Sequence, residues 1–311
     1  MSAPAGTKAV LAALVANLSI AVAKFGAFAV TGSASMASEG VHSLADSGNQ
    51  VLLLVGGRRA RRAATPEHPF GYGRERYVYS FVVAIVLFSV GGLYALYEGL
   101  HKFQHPEELT SPQWAIGVLL FAIVAEVFSF RTAIREARPL LGGRSWFRFL
   151  RTSKSPELPV ILLEDLGALV GLFFALFGVS VATITGDGRW DGLGSMAIGA
   201  LLVVIAVFLA VEMKSLLLGE GAAPAQVRAI EAALVDADAI PRVIHLKTLH
   251  LGPEELLVAA KIAVDAGESA AGVAEAIDAA EARVRAAVPI ARVIYLEPDI
   301  WTAERTPRAP A

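Results

Sequence analysis

Six stretches of this chain have the length to cross a lipid bilayer, which takes about 20 residues of helix. They fall near 8–30, 34–56, 76–100, 113–137, 157–184 and 190–219. A bilayer core offers no water to backbone N–H and C=O groups, so spanning segments of this kind are helices. Composition agrees, since 55% of the 311 residues are hydrophobic and only 18% are charged, less charge than a soluble domain of this length carries. The last two stretches exceed what a bilayer needs, so their ends tilt or project beyond it. The first is not read as a signal peptide, because Asn17 and Lys24 interrupt it and further spans follow it.

The second stretch departs from the others. Residues 31–50 read TGSASMASEGVHSLADSGNQ, and Glu39, His42, Ser43, Asp46 and Asn49 recur at spacings of three and four. On a helix they line one face, opposite Ala, Val, Leu and Gly. Ionisable groups within a bilayer cost several kcal/mol each and face a bundle interior or a water-filled cavity. His42 and Asp46, four residues apart, aim an imidazole and a carboxylate at one point, as a helix does when it offers two ligands to a divalent metal.

A matching acidic pair sits in the fifth stretch, ELPVILLEDLGALVGL, as Glu164 and Asp165. Asp165 lies eleven residues past Lys154, and Asp46 lies twelve residues before Arg58. At about 1.5 Å of rise per residue the two carboxylates share one depth. His42, Asp46 and Asp165 therefore converge if the second and fifth helices pack together. Glu164 points about 100° away from Asp165 on the helix and is open as a fourth ligand, a proton acceptor or a group paired elsewhere. Glu126 and Glu98 are read as structural or interfacial acids.

Loop charges set the orientation. Arg58, Arg59, Arg61, Arg62 and Arg74 follow the second stretch, and Arg138, Arg144, Arg148, Arg151 and Lys154 follow the fourth. The opposite loops carry few basic residues, which places both termini in the cytoplasm of an integral membrane protein. Net charge is −2, so no basic field argues for nucleic acid. Without cysteine, a metal site must use His, Asp, Glu, carbonyls or water. No nucleophile–base arrangement and no GxxxxGK phosphate loop is present, so neither an enzyme nor an ATP-driven pump is indicated, and no cofactor is called for.

Beyond residue 219 the pattern changes. Residues 223–237 and 269–288 read as amphipathic helices, and 242–251, 256–264 and 291–296 as strands, with Gly252-Pro253 as a turn. The order suggests a small α+β domain with both helices on one sheet face. The domains are thus 1–219 (six-span), 220–300 (cytoplasmic α+β) and a disordered tail, 301–311.

Taken together, TGSASMASEGVHSLADSGNQ, HPFGYGRERY (68–77), the acid in span five, DGLGSMAIG opening span six, LKTLHLGP and a final IYLEP resemble the cation diffusion facilitator family. The resemblance covers about residues 8–299. It implies six transmembrane helices plus a ferredoxin-like C-terminal cytoplasmic domain, assembled as a homodimer in the lipid bilayer. It also implies export of divalent transition metals, most often zinc, against inward proton flow; the bacterial plasma membrane is the expected location. The family's site takes two residues four apart in span two, here His42 and Asp46, and two more in span five. There Asp165 matches, but Ile161 stands where the family has His or Asp. Glu164 is the obvious replacement and Glu157, on the Asp165 face, a second; Glu39 is a further candidate for the proton path. Such a variant pair resembles the branch with the animal mitochondrial zinc exporter, and leaves manganese, iron, cobalt and nickel open beside zinc. Of the relatives' loop site, HPFGYG keeps His68 but has Tyr72 for the second histidine. Ala260 and Tyr295 replace metal-binding positions of the C-terminal domain, with Glu297 left as a possible ligand. Because Ile161 breaks the pattern, a transport-deficient sensor or scaffold is the rival reading.

Overall fold

The computed structural model describes residues 6–31, 34–106, 112–236 and 239–302. From residue 303 on, the expected tail lies outside the described residues, as do parts of the loops after the first and third spans. The chain divides into two compact units. One takes the chain up to Arg61 together with Glu75–Lys214; the other takes Arg62–Arg74 and the chain from Ser215 on.

The first unit is helical. Its elements are α1 (Thr7–Thr31), α2 (Ala34–Arg59), α3 (Glu75–Val86), a π-helical segment (Leu87–Leu93), α4 (Tyr94–Gln104), α5 (Pro112–Ala137), α6 (Trp146–Thr152), α7 (Glu157–Thr185) and α8 (Arg189–Leu218). Among the described residues, five paths are long and apolar enough to cross a membrane: Thr7–Thr31, Glu75–Gln104, Pro112–Leu140, Glu157–Thr185 and Arg189–Leu218. With 26 residues α2 has the length, but its polar row takes it out of that set. The short α6 is not anticipated by the sequence reading. Ser145 caps it by accepting from the Arg148 backbone N–H at 3.3 Å, and buried Phe149 anchors it in the core.

Apolar packing joins α1, α3, α5, α7 and α8 through Val10, Val83, Ala133, Leu158, Ile161, Leu202 and Leu209. Other large apolar side chains, among them Val22, Val124, Phe177 and Ile184, point outwards and are exposed. In lipid that outward set carries no penalty, whereas in water so much apolar surface would be a liability. Where α4 and α8 cross, glycine is required. A Cβ on Gly199 would stand 2.6 Å from the Leu96 backbone nitrogen, and one on Gly99 would stand 2.6 Å from that of Met196. Small residues let the backbones approach, which is how helices gain contact in a solvent that drives no hydrophobic association.

The second unit is α9 (Pro224–Leu234), β1 (Arg242–Gly252), β2 (Glu255–Ala263), α10 (Ala270–Ala287) and β3 (Ala291–Asp299). The sheet order is β1-β2-β3. β1 and β2 pair antiparallel with His250 opposite Leu256. β2 and β3 pair parallel with Val258 opposite Ile294, α10 providing the crossover that parallel pairing demands. Alternate residues of β2 (Leu256, Val258, Ala260, Ile262) are buried with Ile230 and Leu234 of α9 and Ala280 and Val284 of α10. Both helices therefore cover one face of a small mixed sheet, each fully buried Leu or Ile contributing about 1.5–3 kcal/mol. The segment Arg62–Arg74 belongs here because Gly73 lies against the β1–β2 turn. A Cβ at that position would be 2.7 Å from the Leu251 carbonyl oxygen.

Candidate functional site

The helical unit contains a partly open cavity of about 140 Å³. Five helices deliver its acids and its histidine: Glu39, His42 and Asp46 from α2, Glu98 from α4, Glu126 from α5, Glu164 and Asp165 from α7, and Asp191 from α8. The π-helical segment borders it. A Cβ on Gly91 would be 3.8 Å from the His42 ring, an ordinary contact distance, so this segment passes beside the imidazole. Extra residues inserted into a helix in this way are frequent at functional sites.

His42 Nε2 and Asp46 Oδ2 stand 3.6 Å apart, as the i, i+4 spacing dictates, and both side chains are half-buried. Glu164 and Asp165 diverge, as adjacent residues on a helix must. Asp165, 1% exposed, accepts a hydrogen bond from Ser129 Oγ of α5 at 2.7 Å. Glu164 turns to α2, where Asn49 Nδ2 and Gln50 Nε2 each donate to one of its oxygens at 3.0 Å. Gln50 is in turn held by Asn17 of α1 at 3.3 Å. α7 packs along α5, and Glu164 makes its polar link to α2.

Cations are distributed unevenly over this wall. Lys24 of α1 pairs with Glu39 at 3.5 Å and donates to Ser43 Oγ at 3.0 Å. Lys102 pairs with Glu98 at 3.4 Å and with Asp191 at 3.1 Å. Glu39, a candidate for the proton path, is thus already salt-bridged. Asp46, Glu126, Glu164 and Asp165, by contrast, have no lysine or arginine within ion-pair distance among the described residues. In sequence, Lys24 shows only as a break in an apolar run and Glu126 as a structural or interfacial acid. Glu126 could have been found by its depth, since it lies twelve residues before Arg138 just as Asp46 lies twelve before Arg58.

The other nominated residues lie elsewhere. Glu157 is buried in a bidentate pair with Arg76, whose Nε and second guanidinium nitrogen donate to its two oxygens. Its carboxylate is therefore committed to an arginine. Ile161 is fully buried within the apolar core and does not line the cavity. His68 belongs to the second unit, where its ring stacks on Tyr72 with centroids 4.5 Å apart. Glu297 pairs with Lys261 at 3.1 Å, and Asp299 holds the same ammonium at 3.0 Å. These two carboxylates, Asp299 first, raise the pKa of the half-buried Lys261. Among the described residues, no three His, Asp or Glu side chains stand close enough together to hold one ion. The donors line one cavity, with Asp165 drawn towards Ser129 and Glu164 towards the amides.

A family model described as the cation efflux transmembrane domain matches residues 10–218. Among curated proteins the chain is similar to the mouse mitochondrial proton-coupled zinc antiporter SLC30A9, at 34% identity over 83% of this chain and 46% of the relative. It is also similar to metal tolerance protein C4 of Arabidopsis thaliana, at 29% identity over 68% of this chain and 47% of the relative. A third relative is the manganese efflux system protein MneP of Bacillus subtilis, at 24% identity over 80% of this chain and 81% of the relative. The chain spans less than half the length of the zinc antiporters it matches.

Proposed function

The chain belongs to the cation efflux family, and from that premise we propose that it is a secondary active transporter exporting divalent transition-metal cations, zinc foremost, from the cytoplasm in exchange for protons. The observation that carries the reading is the set of carboxylates around one cavity among apolar helices without a lysine or arginine partner. Several buried like charges are costly unless something offsets them, and a divalent cation would do so. Relatives named for zinc and for manganese transport support a metal cargo and keep both ions in view.

In this reading α2 is the sixth span, its polar face turned to the cavity, and both termini lie in the cytoplasm of a bacterial plasma membrane. The second unit is a cytoplasmic, ferredoxin-like homodimerisation domain. His42, Asp46 and Asp165 form the core of the site, and a neighbouring acid completes it; Glu164 is the one that the sequence nominates. Binding needs a neutral imidazole and ionised carboxylates, so metal entry releases protons. It also draws Asp165 from Ser129 towards the ion. Protonation from the opposite side then competes the metal off, and an imidazole is suited to that exchange because it titrates near neutral pH. No covalent step is required.

The test is a metal panel on proteoliposomes containing a pH-sensitive dye. Zinc uptake with proton counterflow is expected, with manganese, iron, cobalt and nickel as comparisons. Proton flux indifferent to every metal would favour a sensor or scaffold that keeps the fold without transporting.

A further inference from the structure

We infer that Glu126 of α5 is the carboxylate that completes the cation shell with His42, Asp46 and Asp165, in the place that Ile161 leaves unfilled. The inference rests on the transport reading above and names a ligand from a helix that the sequence pattern does not nominate.

Three observations carry it. First, Glu126 is 3% exposed and lines the cavity, yet among the described residues no hydrogen bond or ion pair engages its carboxylate. Its companions are all engaged: Asp165 by Ser129, Glu164 by Asn49 and Gln50, and Asp46 beside His42. Second, Ser129 follows Glu126 by three residues, so the two share one face of α5. Because Ser129 reaches Asp165, Glu126 sits one helical turn from that contact. Third, Ile161 is fully buried in the apolar core and is not part of the cavity lining.

Glu164 fits the role less well. Both of its oxygens accept from neutral amides on α2, and those amides are themselves buried. Moving Glu164 to an ion would strip Asn49 and Gln50 of their acceptor. Each such loss of a buried hydrogen bond is unfavourable. Glu126 pays no such cost. A shell of one imidazole and three carboxylates is rich in hard oxygen donors, so it accepts manganese as well as zinc.

The experiment is calorimetric titration of purified full-length protein with zinc and with manganese. The variants are Glu126→Gln, Glu126→Asp, Glu164→Gln and Asp46→Ala. Glu126→Gln should weaken zinc binding by at least about tenfold, a loss that even an outer partner of a metal ligand can cause, and Glu126→Asp should recover part of it. Glu164→Gln should change affinity much less. Wild-type affinity in Glu126→Gln, with binding lost in Asp46→Ala, overturns the inference and leaves the transport site intact. Binding indifferent to Asp46→Ala overturns both. Because the chain has no cysteine, the double variant Glu126→Cys with Asp165→Cys gives a readout independent of affinity. Mercuric ion should bridge the two thiols and protect them from maleimide; full labelling in its presence would contradict the shared shell.

Discussion

Glu157 and Asp165 lie on one helix, eight residues and about 12 Å of rise apart, and both are almost fully buried, yet they are housed differently. Glu157 is clamped by Arg76 of α3 through two hydrogen bonds. Asp165 has a serine and a wall of other acids. The first arrangement is closed: charge is matched, and both carboxylate oxygens accept from the guanidinium. The second is open: among the described residues Asp46, Glu126, Glu164 and Asp165 have no lysine or arginine within ion-pair distance, the cavity's two lysines being paired with Glu39, Glu98 and Asp191. In the proposed reading, what marks a buried carboxylate as a ligand is the missing counter-charge, not burial alone.

That contrast can be broken at its closed end. Glu157→Ala should destabilise the protein by about 3–5 kcal/mol, the cost of leaving Arg76 buried without its partner. Thermal unfolding in detergent measures it. A variant as stable as wild type would mean that the pair is not buried as described. Zinc affinity of whatever Glu157→Ala protein remains folded should be close to wild type, since Glu157 lies outside the cavity wall.

A smaller effect separates sequence pattern from packing. Ile161→His restores the family's spacing on paper, and the pattern alone would have it tighten zinc binding. The side chain instead points into the apolar core. Burying an imidazole there without a partner should cost about 1–3 kcal/mol and leave zinc affinity unimproved. Tighter zinc binding by calorimetry would show that α7 presents position 161 to the cavity.

The smallest effect belongs to the acids that face water. Glu297 and Asp299 raise the pKa of Lys261, so this triad stabilises the fold at pH values below lysine's ordinary pKa, and the contribution is lost as pH rises through the raised value. Exposed pairs of this kind are weak. Lys261→Met should therefore shift the unfolding midpoint slightly at neutral pH, and the difference from wild type should vanish in strong alkali. A large shift at neutral pH would mean that Lys261 is more than a surface partner.

Much of this was legible in the sequence because bilayer physics leaves few choices. Length and hydropathy foretold five of the long apolar paths, and the period of three and four in 31–50 foretold the polar face of α2. The helix-strand-strand-helix-strand order foretold a small α+β domain with both helices on one sheet face. What stayed hidden were pairings between distant segments. Nothing local in ELPVILLED says that Glu157 meets Arg76 while Asp165 meets Ser129. Nor could periodicity reveal that Asn49 and Gln50 hold Glu164, or that Glu126 from a different helix shares its cavity. The α6 helix escaped because its seven residues are too few to show a period.

The central claim is that the acids without a cationic partner are a cation's binding charge. It is tested most directly by adding zinc to purified wild-type protein and Asp165→Ala in weak buffer and recording bound metal and released protons together. Wild type should bind zinc and release protons as its carboxylates and His42 take up the ion, and Asp165→Ala should do neither at the same concentration while unfolding at a temperature no lower than wild type. Zinc binding with undiminished proton release in Asp165→Ala would contradict the account.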